Sequence, residues 1–316
     1  MREIRVAAAQ FEAQDNNKAY NLARVRDLTR AAVERGAEII SFHECCLPGY
    51  TWVQTLSFQQ LAAIAEPVPD GPSVRELIRI AREFGVVVMA GMFEHEEDRL
   101  YNCYVTVGPQ GYITRFRKLH PFINPHLTPG PEYNVIDLLD CKVGFLTCYD
   151  NNLPENPRIT ALMGAEIIIA PHVTGCLPSV MPGRGKVDPV LWENRERDPA
   201  RLRQEFNGPK GREWLMRWLP TRAYENGLYY VFSNPIGFDY DTIKPGLAMI
   251  LDPFGEVVTE STTLGDDVVV ALLTPDKIEQ SSGRRYLKAR RPELYDTMVE
   301  PQESQTLPGW ALAHNR

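Results

Sequence analysis

Three residues able to do acid–base and nucleophilic chemistry stand just beyond short apolar runs. Glu44 follows residues 39–42, Lys118 follows residues 112–116, and Cys148 follows residues 143–147. Such runs predict buried strands, and side chains at the ends of packed strands are held rigidly enough to converge on one crevice. Taken singly, each residue reads more simply as a surface charge or a core thiol. As a set they make chemical sense. A free thiol with a pKa near ~8.5 is only slightly ionised at neutral pH, so a cysteine that attacks an amide requires a base and positive charge nearby. Glu44 suits the base. Lys118 and the backbone N–H of Tyr149 suit the stabilisation of the developing oxyanion, at about 3 kcal/mol per well-aimed donor. No GxSxG elbow supports a serine alternative, although His43, His120 and His172 are available as bases.

The elements that must position these groups alternate along the chain. Residues 4–11 predict a strand and residues 16–35 a helix, with Leu22, Val25, Leu28 and Ala32 at helical spacing. Residues 74–84 predict a second helix, leading through Gly85 into an antiparallel ladder of residues 86–93, 101–107 and 112–116 that ends at Lys118. Beyond Cys148, Pro154 opens a helix that runs to Gly164, followed by a strand at residues 166–170. Residues 176–211 carry Pro178, Pro182, Pro189 and Pro199 with little apolar periodicity and read as an insertion loop. A helix at residues 213–226 and strands at 229–233, 247–251 and 268–273 complete a domain expected to span residues 1–275, leaving residues 276–316 as a C-terminal arm. Interleaved strands and helices with hairpin-length turns require an α/β fold with mixed sheets.

Composition bounds the function. The chain has 316 residues, of which 44% are hydrophobic and 24% charged, so it can bury a substantial core. Its net charge of -7 argues against nucleic acid as a partner. No apolar stretch approaches the ~20 residues of a membrane span, and the charged N-terminus lacks a secretory h-region, so neither a membrane nor export is expected and the localisation reads as cytoplasmic. Six scattered cysteines suit a reducing compartment, and His172 with Cys176 is too sparse a set for zinc.

A resemblance sharpens these expectations. Phe42-His43-Glu44 with Leu47-Pro48-Gly49-Tyr50, Arg117-Lys118-Leu119-His120, Cys148-Tyr149-Asp150 with Pro154-Glu155 and Arg158, Gly164-Ala165-Glu166, and Arg290-Arg291-Pro292-Glu293-Leu294-Tyr295 together resemble the nitrilase superfamily of carbon–nitrogen hydrolases. The resemblance covers nearly the whole chain. It implies a four-layer α-β-β-α sandwich, a catalytic triad of Glu44, Lys118 and Cys148, and no metal or organic cofactor. It also implies a homodimer or higher even-numbered homo-oligomer that pairs through sheet-covering helices, with the C-terminal arm on a partner subunit. Many members carry a second glutamate between the lysine and the cysteine. Here residues 119–129 contain no acid, His126 lies nearest that place, and Glu132 follows Pro129-Gly130. His126 is therefore a candidate supporting residue, alongside Tyr149, Asn152 and His172.

True nitrilases of this superfamily tend to follow the cysteine with Trp-Glu, whereas Tyr149-Asp150 is similar to the amidase and carbamoylase branches. The expected reaction is conversion of a small-molecule amide to acid and ammonia through a thioester. N-carbamoyl or nitrile hydrolysis is the alternative, and a non-catalytic scaffold of the same fold is the alternative from another class. Carbamoylases of amino acids often place an arginine soon after the nucleophile, where this chain has Asn151 and Asn152. Residues 176–211 supply Arg184, Lys186, Arg195, Arg197 and Arg201 as possible anion ligands and Trp192 as a pocket wall, with Trp214 just beyond, or else form a solvated loop.

Overall fold

The computed structural model describes residues 1–301. In its first half, β1 (Ile4–Gln10), α1 (Lys18–Glu34) and β2 (Ile39–Ser41) are followed by α2 (Phe58–Ile64), α3 (Pro72–Phe84), β3 (Val87–Glu96), β4 (Arg99–Gly108) and β5 (Gly111–Arg117). The second half begins with β6 (Val135–Leu138), β7 (Cys141–Phe145), α4 (Glu155–Leu162) and β8 (Ile167–Pro171). Four helices follow, α5 (Pro189–Glu193), α6 (Pro199–Asn207), α7 (Arg212–Met216) and α8 (Leu219–Asn226). The remaining strands are β9 (Tyr229–Ser233), β10 (Ile236–Asp239), β11 (Thr242–Pro245), β12 (Met249–Leu251), β13 (Val257–Glu260) and β14 (Asp267–Leu273), followed by α9 (Pro275–Gln280), α10 (Ser282–Lys288) and α11 (Asp296–Val299).

These strands build two six-stranded mixed sheets, ordered β14-β1-β2-β3-β4-β5 and β13-β12-β9-β8-β7-β6. In each sheet three strands run parallel, β1-β2-β3 and β7-β8-β9. Strand alternation dictates the layering. Ile4, Val6 and Ala8 of β1 join a cluster with β8, β9 and β12, across the gap between the sheets, whereas Ala7 and Ala9 join Val25 and Leu28 of α1 and Val74 and Leu77 of α3. Helices α1 and α3 cover the first sheet, and α4 and α8 cover the second. The result is the four-layer α-β-β-α sandwich.

Local chemistry explains the helix ends. Asn17 caps α1 by accepting the N–H of Tyr20 at 3.1 Å. Helix α3 starts with Pro72 and stops at Gly85, whose φ of +67° closes the turn. Two expectations are corrected. Residues 176–211 contain α5 and α6, because Pro189 and Pro199 occupy first-turn positions behind the capping residues Asp188 and Asp198 instead of breaking structure. Trp192, Leu202 and Phe206 of this segment are buried against Ile236 and Ile243. The single helix expected over residues 213–226 is two, broken at Arg217 and Trp218 ahead of Pro220. Short strands β6, β10, β11 and β13 were not legible. Within the expected C-terminal arm, Arg284 of α10 donates to the carbonyls of Gly227 (3.0 Å) and Ala165 (2.8 Å), tying α10 to the end of α8. The end of that arm, residues 302–316, lies outside the described residues. Among the described residues no helix is long and apolar enough to cross a membrane.

Candidate active site

Glu44 leaves the end of β2 in a loop that presses against β3. A Cβ on Gly91 would lie 2.2 Å from the backbone nitrogen of Cys45, so only glycine lets the two chains approach this closely. Glu44 is fully buried. Its Oε1 accepts two hydrogen bonds of 2.6 Å, one from Lys118 Nζ and one from Asn102 Nδ2 of β4. Its Oε2 has no settled hydrogen-bond partner among the described residues.

Lys118 lies one residue past β5, with its backbone N–H bonded to the carbonyl of Asn102 at 2.9 Å. Its ammonium sits 4.8 Å from the centre of the Phe122 ring and 5.5 Å from that of Tyr50. Burial pulls this ammonium toward deprotonation, but Glu44, then Cys148 and Asp150, outweigh the burial and hold its pKa above the ordinary lysine value. It stays charged.

Cys148 opens a 3₁₀ turn directly after β7 and has a φ of +50°, a left-handed conformation that costs a non-glycine residue about 1–2 kcal/mol. Neighbouring hydrogen bonds hold it there. Asn151 Nδ2 donates to the carbonyls of Leu146 (2.8 Å) and Cys148 (3.3 Å), and Asp150 and Thr147 cap each other across the turn. Asp150 also accepts the backbone N–H groups of Leu119 (3.2 Å) and His120 (2.9 Å) and the ring Nδ1 of His120 (2.8 Å). One buried carboxylate thus locks the segment after Lys118 to the turn that carries the thiol.

The Cys148 sulfur lies 3.9 Å from the carbonyl oxygen of Val173. Burial first, and the charge of Glu44 second, push the thiol pKa up to about 12, with Lys118 pulling the other way. The thiol is therefore held neutral. All six cysteines are buried, and Cys148 lines a cavity of about 250 Å³ walled by Phe122, Tyr149, Asn152, Thr174 and Trp214. Glu44 and Lys118 are in direct contact and both act electrostatically on the Cys148 thiol, although the three are separated by 74 and 30 residues of sequence.

The supporting candidates divide. Tyr149 and Asn152 line the cavity. His172 is buried behind it, with Nε2 3.1 Å from Asn151 Nδ2 and its ring against Phe232. Burial, and then the charge of Lys118, hold His172 well below the ordinary histidine pKa, so it is neutral. His126 is exposed, and its ring meets Phe58 edge-on at 5.9 Å. The cause is local: Asn124 Nδ2 donates to the carbonyls of Val53 and Leu56, and this anchoring turns His126 outward. Sequence reasoning missed Asn102, which sits in the middle of an apolar strand, and the bracing role of Asp150. A polar side chain inside such a strand is the signal that marks the first. Among the described residues no three His, Cys, Asp or Glu side chains are grouped to hold a metal ion.

A buried carboxylate paired to an ammonium beside a strained thiol, at the strand ends of a four-layer sandwich, defines a class: enzymes of the α-β-β-α type built around a cysteine. The chain belongs to the carbon–nitrogen hydrolase family, whose model matches residues 5–282. It is 30% identical to an (R)-stereoselective amidase of Pseudomonas sp over 94% of this chain and 95% of that protein. It is 28% identical to a nitrilase of Pyrococcus abyssi, over 85% and 88%. Its fold matches that of the NitN amidase from Nesterenkonia sp. AN1 with a TM-score of 0.69 at 20% identity, covering 94% of this chain and 100% of that one.

Proposed function

We propose that this protein hydrolyses a small carboxamide to a carboxylic acid and ammonia through a thioester on Cys148. The observation that carries the reading is the sharing of Glu44 Oε1 between Lys118 and Asn102, with the Cys148 thiol close enough to feel the charges of both Glu44 and Lys118. A thiol of raised pKa cannot act as a preformed thiolate, so its proton must leave as the sulfur attacks. Glu44 takes that proton while the S–C bond forms. The carbonyl oxygen becomes negative and is stabilised by Lys118 Nζ and the N–H of Tyr149. Glu44 then delivers the proton to the amide nitrogen, the C–N bond breaks and ammonia leaves. Water attacks the thioester, again giving a proton to Glu44, and the acid departs as the thiol recovers its hydrogen.

Tyr149-Asp150 after the nucleophile, together with the amidase, N-carbamoylputrescine amidase and omega-amidase names of its relatives, supports amide over nitrile chemistry. A panel of primary amides, N-carbamoyl compounds and nitriles, scored by ammonia release, tests it. Amide turnover that disappears in C148A is the expected result, and turnover of nitriles without amides overturns the reading.

The chain is further proposed to act in the cytoplasm as an even-numbered homo-oligomer, with residues 1–275 as the hydrolase domain and residues 276–316 as an arm on a partner subunit. Exposed Leu162 and Met163 at the end of α4, with Tyr224 of α8 and Tyr286 of α10, support pairing through this helical face. Light scattering on the purified chain checks the assembly, and a monomer at micromolar concentration rejects it.

A further inference from the structure

A second cavity of about 290 Å³ adjoins the one at Cys148, sharing Phe122, Val173, Leu177 and Pro178 as common walls. Lys244 lines it from β11 and is fully buried, yet its Nζ makes no hydrogen bond among the described residues. Its one near acid is Asp239, at 3.5 Å. That carboxylate is already engaged, Oδ1 accepting the N–H of Thr51 at 3.0 Å and Oδ2 its hydroxyl at 2.5 Å. Asp241, which lines this cavity, pairs with Lys186 at 2.6 Å. An ammonium buried with no hydrogen bond and one carboxylate at 3.5 Å that already serves Thr51 is costly unless a ligand adds to its coordination.

The position of Lys244 is set by structure on two sides. The β10-β11 hairpin pairs it opposite Gly237. Asp239 ties the same hairpin to Thr51, next to Tyr50, whose ring faces Lys118. Tyr50 also lines the second cavity, and its buried hydroxyl has no partner among the described residues. A lysine and a tyrosine hydroxyl, both buried and neither making a hydrogen bond among the described residues, thus line a space that shares walls with the one at Cys148.

We infer that the second cavity receives the far end of the substrate and that this end is a carboxylate, bound by the Lys244 ammonium and the Tyr50 hydroxyl. The substrate class is then a monoamide of a short dicarboxylic acid, with its amide at Cys148. This inference rests on the amidase reading above and adds a specificity determinant to it. A charge-assisted hydrogen bond in a buried site accounts for a preference of at least tenfold.

The test compares succinamate, glutaramate and adipamate with neutral n-alkyl amides of matched length. At one chain length or more, wild-type kcat/KM is expected to favour the acid at least tenfold, and K244M is expected to cut that ratio at least tenfold. Calorimetry on the C148A protein measures binding of the same monoamides without turnover, and adding K244M is expected to weaken it at least tenfold. Neutral amides preferred by the wild type, or tight acid binding indifferent to K244M, overturns the inference. The calorimetry and the wild-type preference serve even where K244M folds poorly. Absence of all amide turnover refutes the amidase reading, while the calorimetric arm still decides the carboxylate site.

Discussion

Glu44→Gln separates the two things Glu44 is asked to do. Glutamine keeps an oxygen where Oε1 accepts from Lys118 and Asn102, both at 2.6 Å, but it cannot carry a proton between sulfur and nitrogen. Loss of a general base slows hydrolysis by about 10²–10⁴-fold, or roughly 3–5 kcal/mol at 1.36 kcal/mol per decade. The variant also leaves Lys118 charged and buried without a counter-ion. Disrupting a buried pair costs about 3–5 kcal/mol of stability, and the retained oxygen argues for the lower end. The thiol should respond in the opposite sense to turnover. The Glu44 charge is the second cause, after burial, that raises the Cys148 pKa, and Lys118 opposes it, so removing Glu44 lets the lysine lower the thiol. Below its pKa, each unit of fall increases the thiolate fraction tenfold. Iodoacetamide labelling of Cys148, followed by peptide mapping near pH 8, is therefore expected to accelerate several-fold while ammonia release collapses. Hydrolysis within tenfold of wild type, or labelling that falls in parallel with hydrolysis, would refute the assignment of Glu44 as the proton carrier.

Asn102→Ala removes one of the two donors to Oε1 and is expected to lower kcat about tenfold and stability by about 1–3 kcal/mol; steady-state kinetics with a urea melt checks it, and a kcat within twofold of wild type contradicts it. Gly91→Ala places a methyl 2.2 Å from the Cys45 nitrogen, so a destabilisation of about 1–3 kcal/mol or more is expected in a thermal melt, with activity reduced because the loop carrying Glu44 must shift. His43 is neutral inside the core, its pKa held at about 4 chiefly by burial. Unfolded, it binds a proton near pH 6.5, so its contribution of about 3 kcal/mol is present above pH 6.5 and is lost as the pH falls toward 4. His43→Asn should flatten the decline in stability across that window, and an unchanged slope in pH-dependent denaturation would argue against it.

What could be read from the chain was local, and what could not was where local pieces meet. Glu44, Lys118 and Cys148 announced themselves because each ends an apolar run, and a strand end is a property of adjacent residues. Their convergence depends on register between β3, β4 and β5 and on Asp150 reaching from the thiol's turn to the backbone of Leu119 and His120, neither of which adjacent residues encode. The same distinction bears on His126. Residues 119–129 put His126 at the expected distance along the chain, but the anchoring of Asn124 to Val53 and Leu56 sends it to the surface. Prolines hid α5 and α6 because a proline that starts a helix and one that ends it look alike without the aspartate cap in view. Lys244 is the limiting case. In the polar run around residues 239–244 it reads as a solvated charge, and only the closure of the β10-β11 hairpin over Thr51 removes it from water. A buried cation is costly, so its burial in a wall of the cavity next to the nucleophile is the feature that composition and spacing alone would never have singled out.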